Sequence, residues 1–186
     1  MALKATIHKA QLQISDMDRH VYGDHNLTIA RHPSETDERM MIRVLAYALN
    51  VPADDLRGRL EFTKGLSDVD EPELWQLDLT GDVVHWIDLG QPDERRLMKA
   101  HGRSERVSVY SYASSTDVWW RGIEGKLTRA PKLAVWQVPA EQSQALAALA
   151  ERSMQLQISI QDGSIYVSTA TASVEIHPIA LKTATE

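Results

Sequence analysis

The chain has 186 residues, of which 43% are hydrophobic and 25% are charged, and it has no cysteine, which excludes disulfides, thiolate metal sites and cysteine nucleophiles. Its net charge of −6 argues against a protein that coats nucleic acid with its whole surface. No apolar run approaches the ~18 residues that cross a bilayer, and the N-terminal segment lacks the apolar core of a secretory signal, so we expect a cytoplasmic protein without a membrane span.

Hydrophobic periodicity divides the chain into strands and helices. The two N-terminal strands are predicted to pair, and the helix after them has a capping box formed by Ser34 and Asp37. The predicted elements, in order, are strands 3–14 and 20–31, helix 35–49, strand 59–63, hairpin strands 73–79 and 83–89, a helix within 91–103, strand 106–112, a helix capped near Ser115, strand 132–138, a helix within 139–153 and a terminal meander over 153–178 with a tight turn at Asp162-Gly163.

The charges are concentrated in two adjoining segments. Residues 54–88 hold ten acids against three basic side chains, a net charge of −7, whereas residues 91–132 hold nine basic side chains against five acids, a net charge of +4. An acidic segment beside a basic one would suit a cation and a polyanion bound side by side. Uneven surface charge without any ligand explains the same pattern, and the sequence leaves both interpretations open.

The central hairpin has a predicted register. Reading Thr80-Gly81 as a two-residue turn makes the residue numbers of paired positions sum to 161. The pairs on this basis are Leu79 with Asp82, Leu77 with Val84, Trp75 with Trp86 and Glu73 with Asp88.

The last of these pairs places two acids directly opposite each other at the end of an apolar face. Like charges in directly opposed positions destabilise a sheet. A bound cation, a shared proton or full exposure to solvent would offset the repulsion between Glu73 and Asp88. The sequence does not choose among the three.

Residues 35–112 run helix, strand, strand, strand, helix, strand, and this order resembles the core of the PD-(D/E)XK nuclease-like superfamily. The segments ARHPSETDERMM, FTKGL, DEPE, GQPDERRLMKA and IQDG, with the paired Trp119 and Trp120, resemble the YaeQ family over essentially the full chain. The resemblance implies one α/β domain over residues 1–186, with a mixed central sheet flanked by helices, a restriction-endonuclease-like core at about 35–112 and extra terminal strands at 3–31 and 153–178.

The same resemblance implies a set of site residues. Carboxylate oxygens suit Mg²⁺ or Mn²⁺, and such an ion would assist phosphodiester hydrolysis. The lysine expected two residues after the second acid is absent, because position 90 is glycine, so a lysine from the following helix would replace it. The predicted metal ligands are Glu73 and Asp88, with Asp70 in reserve; the predicted catalytic residues are Glu38, Lys99 and Gln91, and the predicted substrate-binding residues are Arg39 and Arg96.

Two classes of function follow. The retained acids favour a divalent-metal-dependent phosphodiesterase that acts on nucleic acid, whereas Gly90 favours a nuclease-fold protein that has lost cleavage and serves as a binding or regulatory module. Nucleic acid is an expected partner, and a protein partner is left unspecified. Arg95, Lys99 and Arg103 recur every four residues, which is by default an exposed helix face.

Overall fold

The computed structural model describes residues 4–185, which form two mixed sheets and four α-helices. The fold is therefore mixed α/β, as predicted. Its elements are β1 (Thr6–Asp16), β2 (Val21–Arg31), α1 (Asp37–Asn50), β3 (Leu60–Phe62), β4 (Leu74–Leu77), β5 (Val83–Leu89), α2 (Glu94–Arg103), β6 (Ser104–Ser111), α3 (Thr116–Ile123), β7 (Leu133–Gln137), α4 (Ala140–Ala147), β8 (Ser153–Gln161), β9 (Ser164–Ser168), β10 (Ser173–Ile176) and β11 (Ile179–Lys182).

The described residues divide into two compact units. The first unit contains residues 4–53 and 141–177, and the second contains residues 54–140 and 178–185. The predicted core of about 35–112 is shared between them, because its first helix lies in the first unit and its remaining elements lie in the second. The part of the chain that the structure describes contains no helix long and apolar enough to cross a membrane.

The first unit contains a five-stranded sheet, called here the terminal sheet, in the order β10-β9-β8-β1-β2. β1 pairs antiparallel with β2, as predicted, and parallel with β8. One face is apolar and buried, because residues such as Leu12, Ile29 and Leu156 alternate with exposed polar side chains. The strands found in the predicted terminal segments 3–31 and 153–178 form this separate sheet, whereas β11, beyond those segments, joins the sheet of the second unit. The predicted first residue, Leu3, lies outside the described residues.

The first helix of the chain, α1, begins two residues later than predicted. Thr36 caps α1, since its side chain accepts a hydrogen bond from the amide of Arg39, so the predicted Ser34 cap is wrong. Residues 40–48 are all buried, so every side of this part of the helix is covered. At the other end, the Arg19 guanidinium donates to the carbonyls of Ala48 and Val51 and satisfies groups that the helix leaves unpaired.

The second unit contains a six-stranded sheet, called here the core sheet, in the order β11-β7-β6-β5-β4-β3. β5, β6 and β7 run parallel, and the outer strands are antiparallel to their neighbours. β5 lies in the interior of this sheet, between β6 and β4. One face of this sheet packs Trp86, Val107 and Val135 against Leu97 of α2 and Trp120 of α3.

The hairpin of the core sheet has the predicted register only over its middle. Leu74 pairs with Ile87 and Trp75 pairs with Trp86, as predicted. The predicted turn is wrong, because Asp78 and Asp82 pair and enclose a three-residue loop in which Gly81 has φ of +89°. Leu77 therefore pairs with Val83, not Val84, and a bulge after Gln76 restores the register; Leu79 is exposed at the tip.

Candidate functional site around Asp88 and Arg96

An ion pair between Asp88 and Arg96 lies at the end of β5. The Arg96 Nε donates to Asp88 Oδ2 at 2.8 Å and its Nη2 donates to Oδ1 at 2.9 Å, so both carboxylate oxygens are engaged by one guanidinium. The Asp88 side chain is 3% exposed and the Arg96 side chain is 30% exposed. This bidentate geometry is the strongest form of carboxylate recognition by arginine, and it fixes both side chains.

Local sequence positions the two partners. β5 places Asp88 on the same sheet face as Trp86, and Gly90 then turns the chain with φ of +84°. Asp93 caps α2 by accepting from the amide of Arg96, which sets the first turn of the helix beside the strand end. Gly90 is therefore explained by its backbone, since a lysine at that position would be strained in the left-handed region.

Arg96 also fastens the loop that precedes β4. Its Nη1 donates to the Val69 carbonyl at 2.5 Å and its Nη2 donates to the Glu71 carbonyl at 2.8 Å. The hydrogen bonds to Asp88 raise the pKa of Arg96 above its ordinary value, in opposition to burial, and the charges of Asp88, Glu73 and Asp93 raise that pKa further. The guanidinium is thus a permanent positive charge that ties the loop to the helix.

Glu73 lies close to this pair but not directly opposite Asp88. The backbone amide of Glu73 donates to the carbonyl of Ile87, whereas the predicted register pairs Glu73 with Asp88. The ladder between β4 and β5 ends at Leu74, so the prediction that the two acids lie directly opposite each other is wrong. The side chain is buried and lies against Gly65, where an added Cβ would come within 2.7 Å of Glu73 Oε2. Both acids nevertheless act on Arg96 electrostatically.

Most of the remaining predicted site residues have other partners. Lys99 Nζ lies 3.4 Å from Asp70 Oδ1, and both side chains are exposed. Gln91 Nε2 donates to Ser115 Oγ at 2.7 Å. Glu38 and Arg39 belong to α1 of the first unit, where the Arg39 guanidinium donates to the carboxylate of Glu35 at 3.0 Å.

The predicted metal site does not fit the side chains as they are arranged. Both oxygens of Asp88 already accept from Arg96, whose charge would repel a divalent cation. Among residues 4–185 there is no group of three or more histidine, aspartate or glutamate side chains placed to hold a metal ion. Of the predicted ligands, Glu73 and Asp88 both act on the charge of Arg96, and Asp70 is paired with Lys99.

A basic cavity beside the ion pair was only partly visible in the sequence. It has a volume of about 280 Å³ and is lined by Trp86, by two acids, Asp70 and Asp93, and by four basic side chains of α2. The basic side chains are Arg95, Arg96, Lys99 and Arg103. The guanidinium carbon of Arg103 lies 5.5 Å from the centre of the Trp86 ring. The four-residue spacing indicated the basic stripe, but nothing in the sequence placed Trp86 beneath it.

A buried histidine and serine in the core sheet form a second polar pair that the sequence did not reveal. His85 Nε2 lies 2.8 Å from Ser108 Oγ, and His85 Nδ1 lies 2.9 Å from Arg106 Nη2. Arginine can only donate, so Nδ1 accepts and the ring proton is on Nε2, directed at the serine. A histidine in this tautomer cannot take a proton from Ser108, so the pair does not act as a nucleophile and base.

Comparison with known proteins decides the family. The sequence profile of the YaeQ protein family matches residues 1–178. This chain belongs to the YaeQ family. Two YaeQ relatives, from Salmonella typhi and Escherichia coli (strain K12), are 45% and 43% identical to it over 177 and 178 residues, with at least 95% of each chain covered. Both relatives are named only as uncharacterized YaeQ proteins, so neither name indicates an activity.

Two solved YaeQ structures share the fold. The YaeQ protein from Xanthomonas axonopodis pv. citri is 46% identical, with a TM-score of 0.91, and the match covers 96% of this chain and 99% of that one. The YaeQ protein from Pseudomonas syringae is 37% identical, with a TM-score of 0.89, and the match covers 96% and 97%. The mixed α/β architecture described above is therefore common to these YaeQ proteins.

Proposed function

We propose that this YaeQ protein binds the phosphate backbone of nucleic acid along the basic face of α2, as a binding or regulatory module. One observation supports the proposal above all others. Arg95 and Arg103 form no ion pair or hydrogen bond within residues 4–185, although acids are common in this unit and both arginines lie on the same cavity. Cations without carboxylate partners at one concave surface are suited to an anionic ligand.

The spacing of the basic side chains supports a polymer over a single anion. Arg95, Lys99 and Arg103 are four residues apart, which is a rise of about 6 Å per step along one helix face. A row of separate positive charges tracks a backbone of successive phosphates better than it surrounds one phosphate. Lys99 makes an exposed contact of 3.4 Å with Asp70, which a phosphate would replace at little cost.

Fluorescence anisotropy with labelled single-stranded DNA, duplex DNA and single-stranded RNA tests the proposal. We expect binding that weakens as salt rises, and we expect Arg95→Ala and Arg103→Ala each to weaken it and to reduce the salt slope by about 0.7 to 0.9. Arg59→Ala is the matched control, because Arg59 lies in the same unit but pairs with Asp55. Absence of binding to all three probes at low salt, or equal losses in all three variants, would refute the proposal.

A metal-dependent phosphodiesterase is the second candidate. The observation that favours it is the presence of two buried carboxylates, Glu73 and Asp88, beside one guanidinium. Magnesium or manganese would require Arg96 to leave Asp88, because the guanidinium occupies both carboxylate oxygens.

Arg96→Met provides the test of this second candidate. If the carboxylates form a metal site, the variant should gain about 2.7 kcal/mol of stability at a Mn²⁺ concentration 100 times the dissociation constant. Asp88→Asn/Arg96→Met is the control, because it lacks both the guanidinium and one of the two carboxylates. An equal response to Mn²⁺ in the two variants would contradict metal binding at Asp88.

A further inference from the structure

The exposed face of the terminal sheet is unusually poor in charge. Its centre is a grid of amides, because Gln11 pairs with Asn26 and Gln155, and the next row pairs Gln13 with Gln157. Serine or threonine occupies about half of the other positions on the same face. This surface, centred on the five amide residues, is called the amide face below.

Charged side chains are few on this surface. Along the paired rows of the amide face they are Lys9, Asp24 and Glu175, each on a different strand. The whole chain is 25% charged, so this face has fewer charged side chains than the chain as a whole. The amide face instead presents neutral groups, each of which both donates and accepts hydrogen bonds.

A groove lies along one side of the amide face. Its volume is about 510 Å³. Gln11 and Gln155 line it with amides, Thr169 and Thr171 add hydroxyls, and Leu149 supplies an apolar wall. One charged side chain of each sign, Lys9 and Glu151, also lines it, so the lining carries no net charge. A ligand that fits this groove needs hydroxyls or amides along its edges and an apolar surface as well.

Two exposed tyrosines stand on the same face. Tyr22 is 61% exposed and Tyr166 is 42% exposed. They lie in one row of paired residues, separated by Ser15 and Ser159, which places them three strand spacings apart, or about 14 Å. Each ring offers a flat apolar surface with a polar edge.

We propose that the amide face binds a neutral oligosaccharide. Each sugar hydroxyl both donates and accepts, as each glutamine and asparagine amide does, and the C–H face of a sugar ring packs on an aromatic or apolar surface. The groove and the tyrosine row offer both kinds of contact on one surface.

Other occupants match this surface less well. Nucleic acid needs a cluster of cations, whereas the amide face has Lys9 and two acids along its paired rows. A protein interface has an apolar core with large anchors, which the amide grid lacks. A membrane surface requires an apolar face with basic residues around it.

Nuclear magnetic resonance with maltohexaose, cellohexaose, laminarihexaose and chitohexaose tests the proposal on the full chain. We expect at least one of the four, at about 10 mM, to shift the side-chain amide signals of Gln11 and Gln155, since that concentration nearly saturates a site with a dissociation constant of 1 mM. Gln155→Ala and Tyr166→Ala should each weaken that binding about tenfold. Gln144→Ala, at an exposed position in α4, should not weaken it.

Three results would overturn the proposal. The first is that none of the four oligosaccharides shifts signals from the amide face. The second is that Gln144→Ala weakens binding as much as Gln155→Ala does. The third is a dimer in sedimentation velocity that dissociates in Gln155→Ala, which would show that a second copy of the chain covers the face. None of these results bears on the α2 surface, so the two proposals fail independently.

Discussion

Replacing Asp88 with asparagine changes the central ion pair with little change of shape. The aspartate accepts two charge-assisted hydrogen bonds from Arg96, and the asparagine amide has one acceptor oxygen, so one bond is lost and the other becomes weaker. Hydrogen bonds to charged groups contribute about 1.5–3 kcal/mol each, and water reaches the 30% exposed arginine. We therefore expect Asp88→Asn to lower the free energy of unfolding by about 2 to 3 kcal/mol.

Removal of the other partner should cost more. Arg96→Met leaves the carboxylate of Asp88 buried without its cation, and loss of one partner of a buried pair costs about 3–5 kcal/mol. It also releases the carbonyls of Val69 and Glu71. Asp70→Asn is the matched control, because Asp70 is 74% exposed and its loss should change stability by less than about 0.5 kcal/mol.

Urea unfolding monitored by tryptophan fluorescence measures these differences. All five tryptophans lie between residues 54 and 140, so their fluorescence reports on the second unit. The double variant Asp88→Asn/Arg96→Met should lose less free energy of unfolding than the two single variants lose when their losses are added. The difference, which is the coupling energy of the pair, should be about 1–3 kcal/mol. If Asp88→Asn is as stable as the wild type or more stable, the pair does not stabilise the fold, and the reasoning is refuted.

The remaining predictions concern the backbone at Gly90 and a shifted histidine. Gly90→Ala should lower the free energy of unfolding by about 1–2 kcal/mol through the left-handed backbone alone, because no atom lies within 4 Å of the added Cβ. Gly102→Ala, inside α2, should raise the free energy of unfolding by about 0.5–1 kcal/mol. Urea unfolding of both variants tests these opposite signs. Burial lowers the pKa of His101, and the positive charges of Lys132 and Lys182 lower it further. The folded state therefore binds fewer protons than the unfolded state, and the free energy of unfolding falls as the pH drops below about 6.5. His101→Gln should lose less stability than the wild type between about pH 7.5 and 5.5; equal losses would contradict this.

Local patterns predicted most elements but not the pairings that depend on distant residues. Alternation in β1 and β8 identified both strands, yet residues 144 apart pair in the parallel ladder, for example Gln11 with Gln155. The hairpin register was correct where Trp75 meets Trp86 and failed at the turn. Glycine at position 81 suits both a two-residue turn and a three-residue loop. The two differ in which loop position has the left-handed backbone conformation, and in the structure Gly81 has it at the third position.

The candidate site shows the same limit. The sequence identified Glu73, Asp88 and Arg96 as a group, but it assigned the acids to a metal and the arginine to a substrate. The ion pair depends on the direction in which α2 leaves β5, which is set by Gly90 and the Asp93 cap together. Periodicity within a helix does not supply that direction, so the partner of Asp88 could not be predicted.

Mapping an oligonucleotide on the folded protein tests the proposed function most directly. Isotope-labelled protein would be titrated with a short oligothymidylate at low salt, and amide shifts would be followed by nuclear magnetic resonance. We expect the shifts to be confined to α2 and to the neighbouring Val69 and Asp70, and to disappear in Arg95→Ala/Arg103→Ala. Shifts that are centred on another surface, or that persist in the double variant, would contradict nucleic-acid binding along α2.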